Sequence, residues 1–290
     1  MNLSYRLSVC LVALMALVAG CGRAGSEESA RDENAVIPID VPDDGKPVLV
    51  VTNSYLGAAA RDLLGEGWHV VSLQPPGRCP GHFDTTVEMV KVIHRSPMLV
   101  RFDFQSGLDA QMQDFDNLAI AEVVAPEGLS TPVAYQQVVQ GLYPQVMNVV
   151  DQTSHGALNK RLTDAVQRME DLDEELKKSA ADGGLVDLPV VASGHMAVFC
   201  ERLGMNVLGR YGSPGAASPR DLASLVEAGR GARLVVATEQ EGVQQARFLA
   251  ERLGGAPVVS LSNFPASCEA QSFDAMARGN VKALVNGLAR

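Results

Sequence analysis

The sequence predicts an α/β protein of two lobes, each a parallel sheet of about four βα units, joined by one long backbone helix. Three observations point there. Short runs rich in Val, Leu and Ile alternate with amphipathic stretches of helical length. One amphipathic stretch, Gly156 to Ala181, is longer than the others. The alternation stops before it and resumes after it.

Within that stretch Leu158, Leu162, Ala165, Val166, Met169, Leu172 and Leu176 recur at steps of three and four, which places them on one helical face. Charged residues from Lys160 to Lys178 cover the remainder, and Asp182-Gly183-Gly184 ends the run. At ~1.5 Å per residue the helix extends about 40 Å, a rigid spacer between two lobes with a hinge of limited freedom. A coiled-coil dimer is the alternative, but the apolar seam lacks a strict heptad pattern.

The elements follow in order. Pro47 to Thr52 is a buried strand, and Asn53 or Ser54 caps a helix through Leu64. Trp68 to Leu73 is a second strand, stopped by Gln74-Pro75-Pro76-Gly77. Thr85-Thr86-Val87-Glu88 offers a capping box for a helix to His94. Met98 to Phe104 and Leu118 to Ala125 are strands, and Thr131-Pro132 starts a helix reaching Met147. After the spacer, Leu188 to Ser193 is a strand and His195 stands at the start of the next helix. Val207 to Tyr211 is a strand, followed by a helix capped by Ser218-Pro219. Arg233 to Thr238 is a strand ending at Glu239 and Glu241, followed by a helix to Leu253. Pro257 to Leu261 is the last strand and Phe273 to Leu288 the closing helix. The expected boundaries are 47–150 for the N-terminal lobe, 151–182 for the connecting helix and 183–290 for the C-terminal lobe.

Composition narrows the partners. Of 290 residues, 47% are hydrophobic and 20% charged, which is ordinary globular usage. The net charge of −10 comes without a basic run that could track phosphates, so nucleic acid is excluded as a partner and a cation or neutral ligand suits better. At the N-terminus, Arg6 precedes an apolar stretch from Leu7 to Ala19, too short to span a bilayer. It ends in Leu17-Val18-Ala19-Gly20-Cys21, which resembles a bacterial lipobox. That implies a signal peptide over 1–20, lipidation of Cys21 and a membrane-anchored protein facing out of the cytoplasm. Residues 21–46, rich in Gly, Ser, Glu and Asp, read as a disordered tether. Processing leaves Cys79, Cys200 and Cys268, an odd number, so at least one is unpaired within the chain.

Polar residues just beyond strand ends deserve scrutiny, because parallel sheets bind ligands there. In the loop Pro75 to Asp84, three Pro and two Gly fix a backbone path that carries Cys79 and His82, spaced C-x-x-H. Thiolate and imidazole both suit Zn²⁺. A packed turn with a structural His is the plainer reading. No P-loop, no G-x-S-x-G elbow and no G-x-G-x-x-G follows a first strand.

At this loop, PPGRCPGHFDTT, the chain resembles the zinc/manganese-binding group of ABC-transporter solute-binding lipoproteins. The likeness continues through the spacer helix, PVVASGHMAVFCERLGMNVLGRYG, SPRDLASLVE, GGAPVVSLSN and VKALVNGL. It implies a monomer that captures a divalent metal in an interlobe cleft and delivers it to an ABC permease, without being an enzyme. His82 matches the family's first metal ligand and His195 the third. The second His has no counterpart in APEGLSTPVA (125–134), and the late Asp falls near Ser262-Asn263, which carries no carboxylate. Cys79, Asp103, Gln105, Glu239 or Glu241 must complete the site, with Cys79 and Glu239 the chosen candidates. Cys79 either ligates or pairs with Cys268, and Cys200 reads as core. Zinc is the expected metal, ahead of manganese. The alternatives are a lipid-anchored zinc hydrolase and a related protein that binds a metal chelate.

Overall fold

The computed structural model describes residues 41–76, 86–113, 115, 118–212 and 218–289. The signal segment, Cys21 and most of the expected tether lie outside them. The N-terminal half holds β1 (Val48–Val51), α1 (Ser54–Leu64), β2 (His69–Ser72), α2 (Val87–Ile93), β3 (Met98–Phe102), β4 (Ala119–Val123) and α3 (Pro132–Met147). The connecting helix α4 spans His155–Asp182. The C-terminal half holds β5 (Pro189–Ser193), α5 (Gly194–Arg202), β6 (Asn206–Tyr211), α6 (Pro219–Ala228), β7 (Leu234–Thr238), α7 (Gln244–Arg252), β8 (Val258–Leu261) and α8 (Ser272–Leu288). The strands form two parallel four-stranded sheets, ordered β2-β1-β3-β4 and β6-β5-β7-β8. These spans follow the sequence expectations to within one or two residues at most ends.

Helix starts obey the local chemistry. Asn53 accepts hydrogen bonds from the amides of Tyr55 and Leu56, both at 3.1 Å, and so opens α1. Thr131 accepts from the Ala134 amide at 3.2 Å, with Pro132 in the first turn of α3. All eleven residues of α1 are buried, and its Ala58-Ala59-Ala60 run lets neighbouring elements approach closely.

One apolar core runs through both halves. It joins Leu49, Tyr55, Phe102 and Tyr135 to Leu158, Met169, Leu172 and Leu176 of α4, and onward to Val190, Phe199, Phe264 and Phe273. Tyr55 sits at its centre, with ring centroids 5.9 Å from Phe102, 5.3 Å from Tyr135, 6.2 Å from Phe264 and 5.7 Å from Phe273. Two of these four rings belong to the C-terminal half, so its aromatic side chains complete the core of the other half. Nearby, Ser54 Oγ donates to the Pro265 carbonyl at 2.7 Å, and Gly128 (φ +72°) leaves room for Val198 that a Cβ would occupy.

Polar ties reinforce the same joint. Arg168 of α4 pairs with Asp62 of α1 and lies 3.2 Å from Asp274 of α8. Asp62 also accepts from Tyr135 Oη at 2.8 Å and from the Gln271 amide at 3.3 Å. Its side chain is 2% exposed and that of Asp274 is 3% exposed. Further along α4, Asp173 takes Arg202 of α5, and Glu175 takes Arg278 of α8 at 2.8 Å.

The last six residues of the expected tether, 41–46, lie against the N-terminal half. Arg95 donates to the Val41 and Pro42 carbonyls at 2.9 and 3.0 Å, and His69 Nε2 is 2.8 Å from Asp44 Oδ1. Backbone carbonyls with buried or charged partners outweigh the disorder-prone composition there.

Arg168 faces two buried carboxylates, so Arg168→Met should lower the unfolding free energy by roughly 3–5 kcal/mol in urea melts. Burial pushes the Asp274 carboxyl above its usual pKa, only partly offset by Arg168. The folded protein therefore holds this proton more tightly than the unfolded chain. Its contribution favours folding below about pH 4 and is lost as pH rises through the raised value. Asp274→Asn should remove that decline, seen as a flatter plot of unfolding free energy against pH.

Candidate metal centre

Within each parallel sheet the strand ends point one way, which gathers the residues that follow them. Beyond the C-terminal sheet, the order β5-β7-β8 sets His195, the Glu239–Glu241 3₁₀ turn and Ser262-Asn263 side by side. His195 Nε2 lies 3.5 Å from Glu241 Oε1, with side chains 58% and 15% exposed. Ser193 and Thr238 hydroxyls hydrogen-bond to each other and tie β5 to β7 beneath that pair. Gln240 donates to Ser262 Oγ at 3.0 Å and accepts from the Asn263 amide at 3.4 Å, which ties β7 to the end of β8. Asn280 of α8 closes the arrangement, accepting from the Ser262 amide and donating to its carbonyl. Tyr211 donates to the Val236 carbonyl at 2.9 Å, and burial together with the charge on Glu241 pushes its phenol pKa up.

The N-terminal half offers a different surface. Gln105 Oε1 accepts from Thr52 Oγ1 at 2.7 Å and from the Phe102 amide at 3.1 Å. Asp103 Oδ1 accepts from the amides of Phe104 and Ala125, at 3.0 and 3.1 Å. Both residues therefore hold the chain beyond β3 and β4. Asp103 Oδ1 serves backbone amides, and Gln105 Oε1 serves the Thr52 hydroxyl and a backbone amide. Segment 125–134 packs on α5, where Ser130 Oγ lies 3.5 Å from Met196 Sδ.

The sequence candidates divide accordingly. His195 and Glu241 come together. Glu239 stands exposed at the head of the turn, because a three-residue 3₁₀ turn carries positions 239 and 241 to different sides. Cys79 and His82 lie outside the described residues. Among the described residues no three His, Cys, Asp or Glu side chains form one cluster. Gln74 and Asn263 are buried at 3% and 4% exposure. Asn263 lies where the resemblance places the family's late Asp, whereas Gln74 carried no signal beyond its position two residues past a strand end.

Two cysteines lie among the described residues. Cys268 is a free, half-buried thiol. It packs where α1 has Gly57, and a Cβ at that glycine would overlap its sulfur. Burial pushes its thiol pKa up to about 11. Cys200 lies fully buried in the core, as expected, with a free thiol that burial pushes up to about 12.

Two parallel four-stranded sheets, braced by one long helix and sharing one core, make the two-lobed fold of solute-binding proteins. The family model for the zinc-uptake complex component A, periplasmic, matches residues 49–287. The chain belongs to this ZnuA family, whose members bind divalent metal ions for transport and are not enzymes, which sets the hydrolase alternative aside. Solved structures share the fold at low identity. A Mn-bound periplasmic metal-binding protein from Candidatus Liberibacter asiaticus superposes with TM-score 0.67 at 12% identity, covering 84% of this chain and all of that one. A zinc-bound deletion mutant of ZnuA gives 0.69 at 12% identity, covering 83% and 98%. A mutant of the laminin-binding adhesin Lmb from Streptococcus agalactiae gives 0.64 at 18% identity, covering 83% and 98%. No curated protein sequence matches the chain. No helix among the described residues is long and apolar enough to cross a membrane.

The free state of Cys268 makes a direct expectation. Denatured but unreduced protein, alkylated and digested, should yield Cys268 as a singly modified peptide. A cross-linked Cys79–Cys268 peptide would contradict it. In the folded protein at pH 7.5, Cys268 should alkylate at least tenfold more slowly than after unfolding, because little of it is thiolate.

Proposed function

We propose that the protein captures one divalent transition metal, zinc foremost, between its halves and passes it to an ABC permease. The spacing of His195 and Glu241 carries the proposal. Two donors on a tetrahedral ion at ~2.0–2.1 Å stand roughly 3.3–3.4 Å apart, and the His195 and Glu241 atoms stand 3.5 Å apart. Imidazole and carboxylate are both zinc ligands, so the pair needs little movement to accept the ion. Glu241 takes the role first given to Glu239. His82 and Cys79, on the loop that follows β2, supply the opposing donors. The net charge of −10 draws cations toward the protein. Lipidation at Cys21 would hold it on the extracytoplasmic face of a membrane, as a monomer.

Several outcomes follow for purified protein stripped of metal. It should bind one zinc ion per chain by titration, and His195→Ala or His82→Ala should weaken zinc at least tenfold. Glu241→Gln should cost at least tenfold more affinity than Glu239→Gln. Zinc should exceed manganese by at least tenfold, about 1.4 kcal/mol. Equal affinity for the two metals, or wild-type titration by both histidine variants, would contradict the proposal.

A further inference from the structure

The two halves meet along a seam whose flanks differ. On the β8 flank the contacts are buried. Ser54 Oγ donates to the Pro265 carbonyl, Cys268 fills the space beside Gly57, and Phe264 and Phe273 enter the core around Tyr55. On the other flank the turn after β4, residues 127–131, lies against α5 and β6. A Cβ on Gly128 would stand 2.6 Å from Val198 Cγ1, and Ser130 Oγ lies 3.5 Å from Met196 Sδ. Arg210 of β6 donates to Glu127 Oε1 at 3.3 Å.

The turn belongs firmly to the N-terminal half. Its Leu129 carbonyl accepts from Tyr55 Oη at 2.8 Å. Its Gly128 carbonyl accepts from the amide and the hydroxyl of Thr131, at 2.8 and 2.9 Å. Gly128 has φ +72°, a backbone conformation that favours glycine. The turn also meets α5 close to the His195–Glu241 pair. Val198 follows His195 by three residues, which places both on one face of the helix. Contact between turn and helix therefore keeps the N-terminal half beside His195.

This flank weakens toward solvent. Met196 is fully buried, whereas the outermost tie is an ion pair with side chains 77% exposed at Glu127 and 45% at Arg210. Arg210 Nη2 also donates to both oxygens of Glu201 at 2.8 Å, which fixes the guanidinium to the C-terminal half. Glu127 reaches it from the other side of the seam. An exposed pair adds little to stability and is screened by salt, so it parts without disturbing the core. We propose that the Glu127–Arg210 pair is the latch of the seam: it closes this flank over the captured ion, and its parting opens the way for release. This rests on the reading that the ion is held between the halves beside His195.

The test uses the full chain stripped of metal and reloaded with zinc, as wild type, Glu127→Gln and Glu127→Lys. Zinc release is followed by stopped flow after mixing with excess chelator, at about 0.01 M and about 1 M salt. At low salt Glu127→Gln should release zinc roughly twofold to fivefold faster than wild type. Glu127→Lys should be faster still, since it sets two cations face to face. At high salt wild type and Glu127→Gln should release alike. Amide hydrogen exchange of the metal-free proteins gives a second readout. Residues 127–131 should exchange faster in Glu127→Gln, with the strands of both sheets unchanged. Release from Glu127→Gln at the wild-type rate in low salt overturns the inference, as does a difference that survives high salt. Faster exchange throughout both sheets also overturns it, because the pair is then a brace for the whole fold. If wild-type protein takes up no zinc, the capture reading fails and the latch falls with it. If wild type takes up zinc and the variants release it normally, only the latch falls.

Discussion

Arg168, placed between two buried carboxylates from different halves of the chain, is the interaction on which the architecture depends. Asp62 belongs to α1, Asp274 to α8 and Arg168 to the helix between the halves. Three charges at low exposure are stable only with close mutual geometry. That requirement fixes where α4 sits on α1 and how α8 returns to both. The aromatic cluster around Tyr55 fills the apolar space beside it, with Phe264 and Phe273 arriving from the far half. The halves therefore share one core, and a large swing about α4 would have to open it.

This rigidity matters for the strand ends. The proposed pairing of His195 with Glu241 requires the loops that carry them to keep their positions before the ion arrives. The Ser193–Thr238 bond, the Gln240 bonds to Ser262 and Asn263, and the Asn280 clamp do that within one sheet. Preorganisation of this kind lowers the ordering cost of capture. It suits a protein that must bind one small cation and then release it.

Much of the fold was legible because it rests on local signals. Thr131-Pro132, Ser218-Pro219 and Asn53 announce helices through capping chemistry, and the strand runs announce buried parallel sheets. The apolar face of α4 was legible from spacing alone. What escaped was set by tertiary contacts. Asp103 and Gln105 follow β3, where backbone amides and Thr52 donate to Asp103 Oδ1 and Gln105 Oε1. Glu239 and Glu241 differ only through the path of one 3₁₀ turn. Asn263 stands where the resemblance places an Asp, and its burial shows only in the tertiary structure. Segment 41–46 has a tether's composition but meets Arg95 and His69.

The central claim is that a divalent ion sits at the strand ends of the C-terminal sheet, bound by His195 and Glu241. Crystals grown with zinc and measured on both sides of the zinc absorption edge test it most directly. The account predicts one anomalous peak, ~2.0–2.1 Å from a His195 ring nitrogen and ~2.0–2.2 Å from a Glu241 oxygen. A peak away from both residues, or a fully zinc-loaded protein with neither within coordinating distance, would contradict it.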